Sequence, residues 1–146
     1  MNPIKYLAIA DAAARFSKDT THVGAALIGV DGEGGPWGYN GATRGSLADE
    51  GTDPRKERPE KYWWYEHAER NAIYAAARVG YPTKGCTMVV THPPCMDCAR
   101  ALVQSGIKKV IWRAGDDAFN QRWWEHRVRV LALFEECGVD YDEVPR

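Results

Sequence analysis

The sequence predicts a three-layer α/β/α fold around a mixed five-stranded sheet. Three observations carry the prediction. Strand-length apolar segments and segments of helical period follow one another in the order α-β-β-α-β-α-β-α-β. The first two strands flank a glycine-rich turn, and strands alternating with helices after an opening hairpin imply a mixed sheet covered on both faces. The length, 146 residues, suits one domain with one core, so residues 1–146 are expected to form a single unit.

Each element has its own signal. Residues 3–17 read as a helix, with Ile4, Leu7, Ala8, Ala12 and Phe16 near one face. Ser17-Lys18-Asp19-Thr20 reads as a turn. Residues 22–30 form a strand through Val23, Ala25, Leu27, Ile28 and Val30, and Asp31-Gly32-Glu33-Gly34-Gly35 turns it into a second strand over 36–40. Residues 41–61 are rich in Gly, Asp, Glu, Arg, Lys and Pro and nearly free of apolar side chains; so long a structureless stretch is expected to be functional or disordered. The alanine-rich segment 67–79 predicts a buried helix stopped by Gly80 and Pro82. A strand over 86–92, a helix over 95–105 closed by Gly106, and a strand over 107–112 follow. Residues 121–137 predict one long helix anchored by Val128, Leu131, Leu133 and Phe134, and 139–144 a last strand.

Composition narrows the classes of function. With 45% hydrophobic residues and a net charge of -1, the chain shows no basic excess of the kind nucleic-acid binders use. No apolar run approaches the ~18 residues of a membrane span, and the start, Met1-Asn2-Pro3-Ile4-Lys5-Tyr6, lacks the apolar core of a secretory signal. Four cysteines are too few for a disulfide framework at this length and fit a reducing cytoplasm.

Two short motifs fit one metal site. His67-Ala68-Glu69 offers an imidazole and a carboxylate, and Pro94-Cys95-Met96-Asp97-Cys98 offers two thiolates. One nitrogen and two sulfurs suit zinc, and three ligands leave a position open, as in catalytic sites. His67 opens one predicted helix, and Cys95 and Cys98 open another, where free N–H groups and the helix dipole favour thiolates. Glu69 is left over as an acid/base. Competing readings are a redox dithiol, which gives His67 and Glu69 no role, and a structural zinc. The latter needs a fourth ligand, for which His92 is the first candidate and Cys86 the next.

His-x-Glu with Pro-Cys-x-x-Cys is an established signature of zinc nucleobase deaminases, and the chain resembles the cytidine/deoxycytidylate deaminase superfamily well beyond those residues. Ser17-Lys18-Asp19, Val23-Gly24-Ala25, Gly38-Tyr39-Asn40-Gly41, Lys61-Tyr62, Asn71-Ala72-Ile73, Gly85-Cys86-Thr87-Met88 and Gln104-Ser105-Gly106-Ile107-Lys108-Lys109-Val110 appear in the familiar order, from about Ser17 to Trp112. The Gly-Tyr-Asn-Gly and Gln-Ser-Gly-Ile-Lys segments point to its deoxycytidylate (dCMP) branch. The resemblance implies a cytidine deaminase-like fold and hydrolytic deamination at C4 of a cytosine ring. Zn2+ on His67, Cys95 and Cys98 would activate water, with Glu69 carrying its proton.

The resemblance also implies substrate contacts. Asn40, which as a residue could equally be an ordinary turn asparagine, is assigned a hydrogen bond to the sugar hydroxyl. A nucleotide needs a phosphate site, and Arg44, Arg55, Lys56, Arg58 and Lys61 lie in or beside the 41–61 segment, with Arg44 the first choice. Trp112 closes a strand beside the expected site and is expected to touch substrate. Trp63, Trp64, Trp123 and Trp124 suit a core or an interface better than base stacking. The branch is typically hexameric, and some members respond to dCTP and dTTP, which makes a homo-oligomer and those effectors expectations here. Pro93 stands where related chains often carry an aromatic or small residue near pyrimidine C5, which opens the site to modified cytosines. A second, structural zinc is not expected, since Cys86 and Cys137 are the only spare cysteines. The alternatives to dCMP are cytidine, a modified dCMP or tRNA adenosine as substrate, or a non-catalytic zinc module that binds a partner.

Overall fold

The computed structural model describes residues 2–50 and 52–146. Helix α1 (Pro3–Ala14) is capped by Asn2, whose side chain accepts from the Ile4 N–H at 3.1 Å. It ends before the expected Ser17, because the N–H groups of Arg15, Phe16 and Ser17 turn to carbonyls three residues back. Strand β1 (Gly24–Ile28) pairs antiparallel with β2 (Gly34–Tyr39) across the expected turn. The segment expected to lack structure holds a short strand β3 (Gly41–Ala42) and 3-10 turns at Leu47–Glu50 and Pro54–Lys56. One turn of helix, α2 (Lys61–Trp64), leads to β4 (Tyr65–Glu66), which pairs with β3 as a separate two-stranded sheet.

Helix α3 (Ala68–Val79), β5 (Thr87–Val90), α4 (Met96–Gln104) and β6 (Lys109–Arg113) fall where the sequence places them, within three residues at each end. The long helix expected over 121–137 is α6 (Trp124–Cys137), and a short helix α5 (Asp117–Arg122) that was not expected precedes it, the two meeting at Trp123. The earlier helix has its own start signal: the Asp116 carboxylate accepts from the Phe119 N–H at 2.8 Å and caps α5. Strand β7 (Asp140–Val144) closes the chain.

The main sheet has the order β2-β1-β5-β6-β7. Its β1–β2 and β1–β5 pairs are antiparallel and its β5–β6 and β6–β7 pairs parallel, which makes it the mixed sheet the sequence predicts. Successive residues alternate between faces. Ala26, Ile28, Val89 and Ile111 pack with Leu7 and Ala10 of α1. Ala25, Leu27, Met88, Val90 and Val110 face the other way, onto apolar side chains of α3, α4 and α6. The layers are therefore α1, the sheet, and α3, α4 and α6. Burial on both faces explains why the central strands read as continuous apolar runs.

Gly38 sets the distance between β2 and α3. A Cβ there would stand 2.5 Å from the Ala72 nitrogen and 2.7 Å from the Ala68 carbonyl oxygen, both backbone atoms. That close approach is the physical content of the Gly-Tyr-Asn-Gly segment, and it seats the helix that follows His67.

Candidate active site

His67 and Cys95 are the N-cap residues of α3 and α4, both in extended backbone conformation, so each side chain projects from a helix mouth. Cys98 lies in the first turn of α4 and is fully buried. The three converge. His67 Nδ1 stands 3.4 Å from the Sγ atoms of both Cys95 and Cys98. Zinc bonds of about 2.0–2.1 Å to nitrogen and 2.3 Å to sulfur at tetrahedral angles require an N···S separation of about 3.6 Å, so the spacing fits one ion. His67, Cys95 and Cys98 are the one such cluster among the described residues.

The protonation pattern agrees. The Cys98 thiol and the His67 ring draw the Cys95 thiol down to about 4, while the same contact and burial push Cys98 up. His67 is raised, chiefly by its bond to Cys95. The group holds a thiolate ready for a cation and a thiol proton that a metal would displace.

Glu69 sits beside this group. It is 4% exposed, and its Oε2 accepts from the Cys98 thiol at 3.5 Å. Burial raises its pKa above the ordinary carboxylate value. Among the described residues no fourth protein ligand joins the cluster. The His92 ring pairs through Nδ1 with the Thr91 hydroxyl at 2.8 Å, and the Cys86 thiol donates to the Pro82 carbonyl at 3.3 Å. Both expected candidates for a structural fourth ligand are thus engaged elsewhere.

A cavity of about 350 Å³ opens onto the group, and His67, Glu69 and Cys95 line it. Of the expected substrate contacts, Asn40 and Lys61 also line it. Asn40 Oδ1 accepts from the Val23 N–H at 2.9 Å, and its Nδ2 donates to the Thr21 carbonyl at 2.7 Å and the Asp19 carboxylate at 3.4 Å. One lone pair of Oδ1 remains for a ligand. Lys61 is neutralised by Asp19 at 3.1 Å.

Two expected substrate contacts lie away from the cavity. Arg44 is exposed and lies off the cavity, because β3 and the turn after it carry it outward. Trp112 is 1% exposed in the core; it stacks on Tyr141 at 5.6 Å, and its Nε1 donates to Glu143 at 2.6 Å. Its face of β6 is the one α6 covers, so the indole does not reach the cavity.

In their place the cavity takes a wall that sequence reasoning missed: Phe119, Arg122, Trp123 and His126 from the α5–α6 corner, with His92. The Asp116 cap was the available signal. Carboxylates and cations around the cavity are mostly matched. Asp19 pairs with Lys61, Glu66 with Arg70, and Asp97 with Arg100. Arg58 and Arg122 line the cavity with no carboxylate in ion-pair reach among the described residues.

Comparison with known proteins agrees with this architecture. Residues 3–114 match the cytidine and deoxycytidylate deaminase zinc-binding region. An uncharacterized deaminase in the luxG 3' region of Aliivibrio fischeri is 34% identical over 142 residues, covering 97% of this chain and 92% of that protein. Deoxycytidylate deaminase of Homo sapiens is 35% identical over 145 residues, covering 95% of this chain and 77% of that protein. The dCMP deaminase of cyanophage S-TIM5, solved in complex with dCMP and dUMP, superposes with a TM-score of 0.68 at 25% identity over 99% of both chains. Among the described residues no helix is long and apolar enough to cross a membrane. A zinc-binding-region match over most of the length, with relatives at this identity aligned nearly end to end, places the family beyond the motifs alone: this chain belongs to the cytidine and deoxycytidylate deaminases.

Proposed function

We propose that the chain hydrolyses dCMP to dUMP and ammonia, with His67, Cys95 and Cys98 holding zinc and Glu69 carrying the proton. The observation that carries this reading is a buried carboxylate beside a three-ligand cluster that opens on a cavity. A structural zinc module has no use for that carboxylate. Zinc, when bound, supplies Lewis-acid activation of a water molecule. Glu69 takes a proton from the attacking water and gives it to ring N3, which makes C4 electrophilic. The bond from water oxygen to C4 forms, Glu69 relays a proton to the exocyclic nitrogen, and the C4–N bond breaks to release ammonia.

Arg58 and Arg122 support a phosphorylated substrate, because they are the cavity's unmatched cations and a nucleotide monophosphate brings up to two negative charges. Asn40, through its remaining lone pair, is assigned the sugar hydroxyl. The net charge of -1 disfavours RNA. Pro93 lines the cavity, so C5-modified dCMP is the second substrate to test. All four cysteines are free, which suits a cytoplasmic enzyme. Trp63 at 83% and Trp124 at 60% exposure suit burial in a homo-oligomer, with the hexamer favoured, and dCTP and dTTP are the effectors to test.

The test is turnover of dCMP, 5-methyl-dCMP, deoxycytidine, cytidine and an RNA stem-loop, with Arg58→Gln and Arg122→Gln variants alongside. The expected result is preference for dCMP and a KM for dCMP about tenfold higher in each variant, with deoxycytidine turnover unchanged. Absence of deamination of every cytosine compound defeats the proposal.

A further inference from the structure

The first turn of α4 has no side-chain cap of its own. Cys95 is the N-cap residue and makes no such bond, so the leading N–H groups of the helix need outside partners. One partner comes from α6: the Met96 N–H donates to His126 Nδ1 at 2.9 Å. A ring nitrogen that accepts carries no proton, so Nδ1 is the bare nitrogen of the His126 ring in this arrangement.

The same corner holds the other end of the turn. The His92 ring packs on Phe119 with centroids 5.6 Å apart, Phe119 on Trp123 at 6.0 Å, and Trp123 edge-on against His126 at 5.0 Å. Four rings therefore run from residue 92 along the α5–α6 corner to Met96. They bracket Pro93, Pro94 and Cys95. Three of the four lie beyond the matched residues 3–114, so the clasp belongs to a part of the chain that the family match does not describe.

We propose that His126 is a positioning residue for the metal group. Its Nδ1 fixes the backbone at the first turn of α4, so that the Cys95 and Cys98 sulfurs each stand 3.4 Å from His67 Nδ1. His126 is outside the ligand cluster and acts through Met96. The proposal rests on His67, Cys95 and Cys98 being the zinc ligands.

The test measures zinc affinity by competition with a chromophoric chelator, together with the charge-transfer bands of the cobalt(II)-substituted protein. His126→Leu leaves the Met96 N–H unpaired, and affinity should fall about tenfold with shifted bands, as for other residues that support metal ligands from behind. His126→Asn sets an amide oxygen where Nδ1 stands and should restore affinity and spectrum. His126→Gln places the amide one carbon further out, near Nε2, and should bind as weakly as the Leu variant. A merely structural role lowers the melting temperature of all three variants without this order in zinc affinity. The proposal is overturned if the Leu or Gln variant holds zinc like the wild type, or if the Asn variant is as weak as the Gln variant. Since no readout involves turnover, wild-type protein that binds zinc in this way but deaminates nothing refutes the proposed function alone.

Discussion

Glu69→Gln is the substitution that separates proton carriage from metal binding. The change conserves volume and both polar atoms, so a side chain only 4% exposed leaves no cavity behind. Its Oε2 stands 3.5 Å from Cys98 Sγ, outside the ligand cluster, so zinc content should stay at the wild-type level. An amide cannot relay a proton, and loss of a general acid/base costs about 10²–10⁴ in rate, or roughly 3–5 kcal/mol in barrier height. The assay is steady-state loss of dCMP absorbance, with metal content measured on the same sample. Stability gives a second reading. Burial raises the folded-state pKa of Glu69 above its ordinary 4.5. Between those two values the folded chain holds a proton that the unfolded chain has lost, so stability falls as pH rises through that window. The metal-free Glu69→Gln variant should therefore melt higher than metal-free wild type at pH 8, with the gap closing toward pH 4.5. A variant turning over within tenfold of wild type, or one that has lost its zinc, refutes the assignment of Glu69.

Two further predictions test the frame around the site. Gly38→Ala forces a Cβ to within 2.5 Å of the Ala72 nitrogen, and since the obstacle is backbone, α3 must move; a loss of about 1–3 kcal/mol is expected in thermal unfolding, accompanied by weaker zinc binding because His67 caps that helix, and an unchanged melting temperature contradicts it. Glu143 accepts from Arg127 and Trp112, which lower its pKa below 4.5; its stabilisation is complete above pH 4.5 and lost as pH falls through the lowered value. The melting temperature of Glu143→Gln should accordingly lie below wild type at pH 7 and converge with it in acid, and a gap independent of pH counts against the pairing.

The central strands and the cluster were legible because they depend on local rules. Continuous apolar runs mark β1, β5 and β6, and the His-x-Glu and Cys-x-x-Cys spacings place their donors at helix mouths. The cavity wall was hidden because it depends on a helix corner. Val128, Leu131 and Phe134 mark α6, whereas the six residues of α5 are too few to show a period, and only the Asp116 cap signals that helix. Arg122 and His126 reach the cavity only because of that corner. Trp112 lies in the core for a different reason: strand position is readable, but the face to which an indole points follows from which helix covers it. Arg44 lies off the cavity because sequence proximity to Asn40 does not survive the turn that follows β3.

The most direct test of the account is release of ammonia from dCMP, with product identified as dUMP, measured on zinc-loaded protein beside the same protein stripped of metal. The account predicts equal amounts of ammonia and dUMP from the loaded protein, and loss of both on stripping, with recovery when zinc is returned. Zinc-loaded, folded protein that leaves dCMP unchanged, or a stripped protein that is equally active, contradicts it.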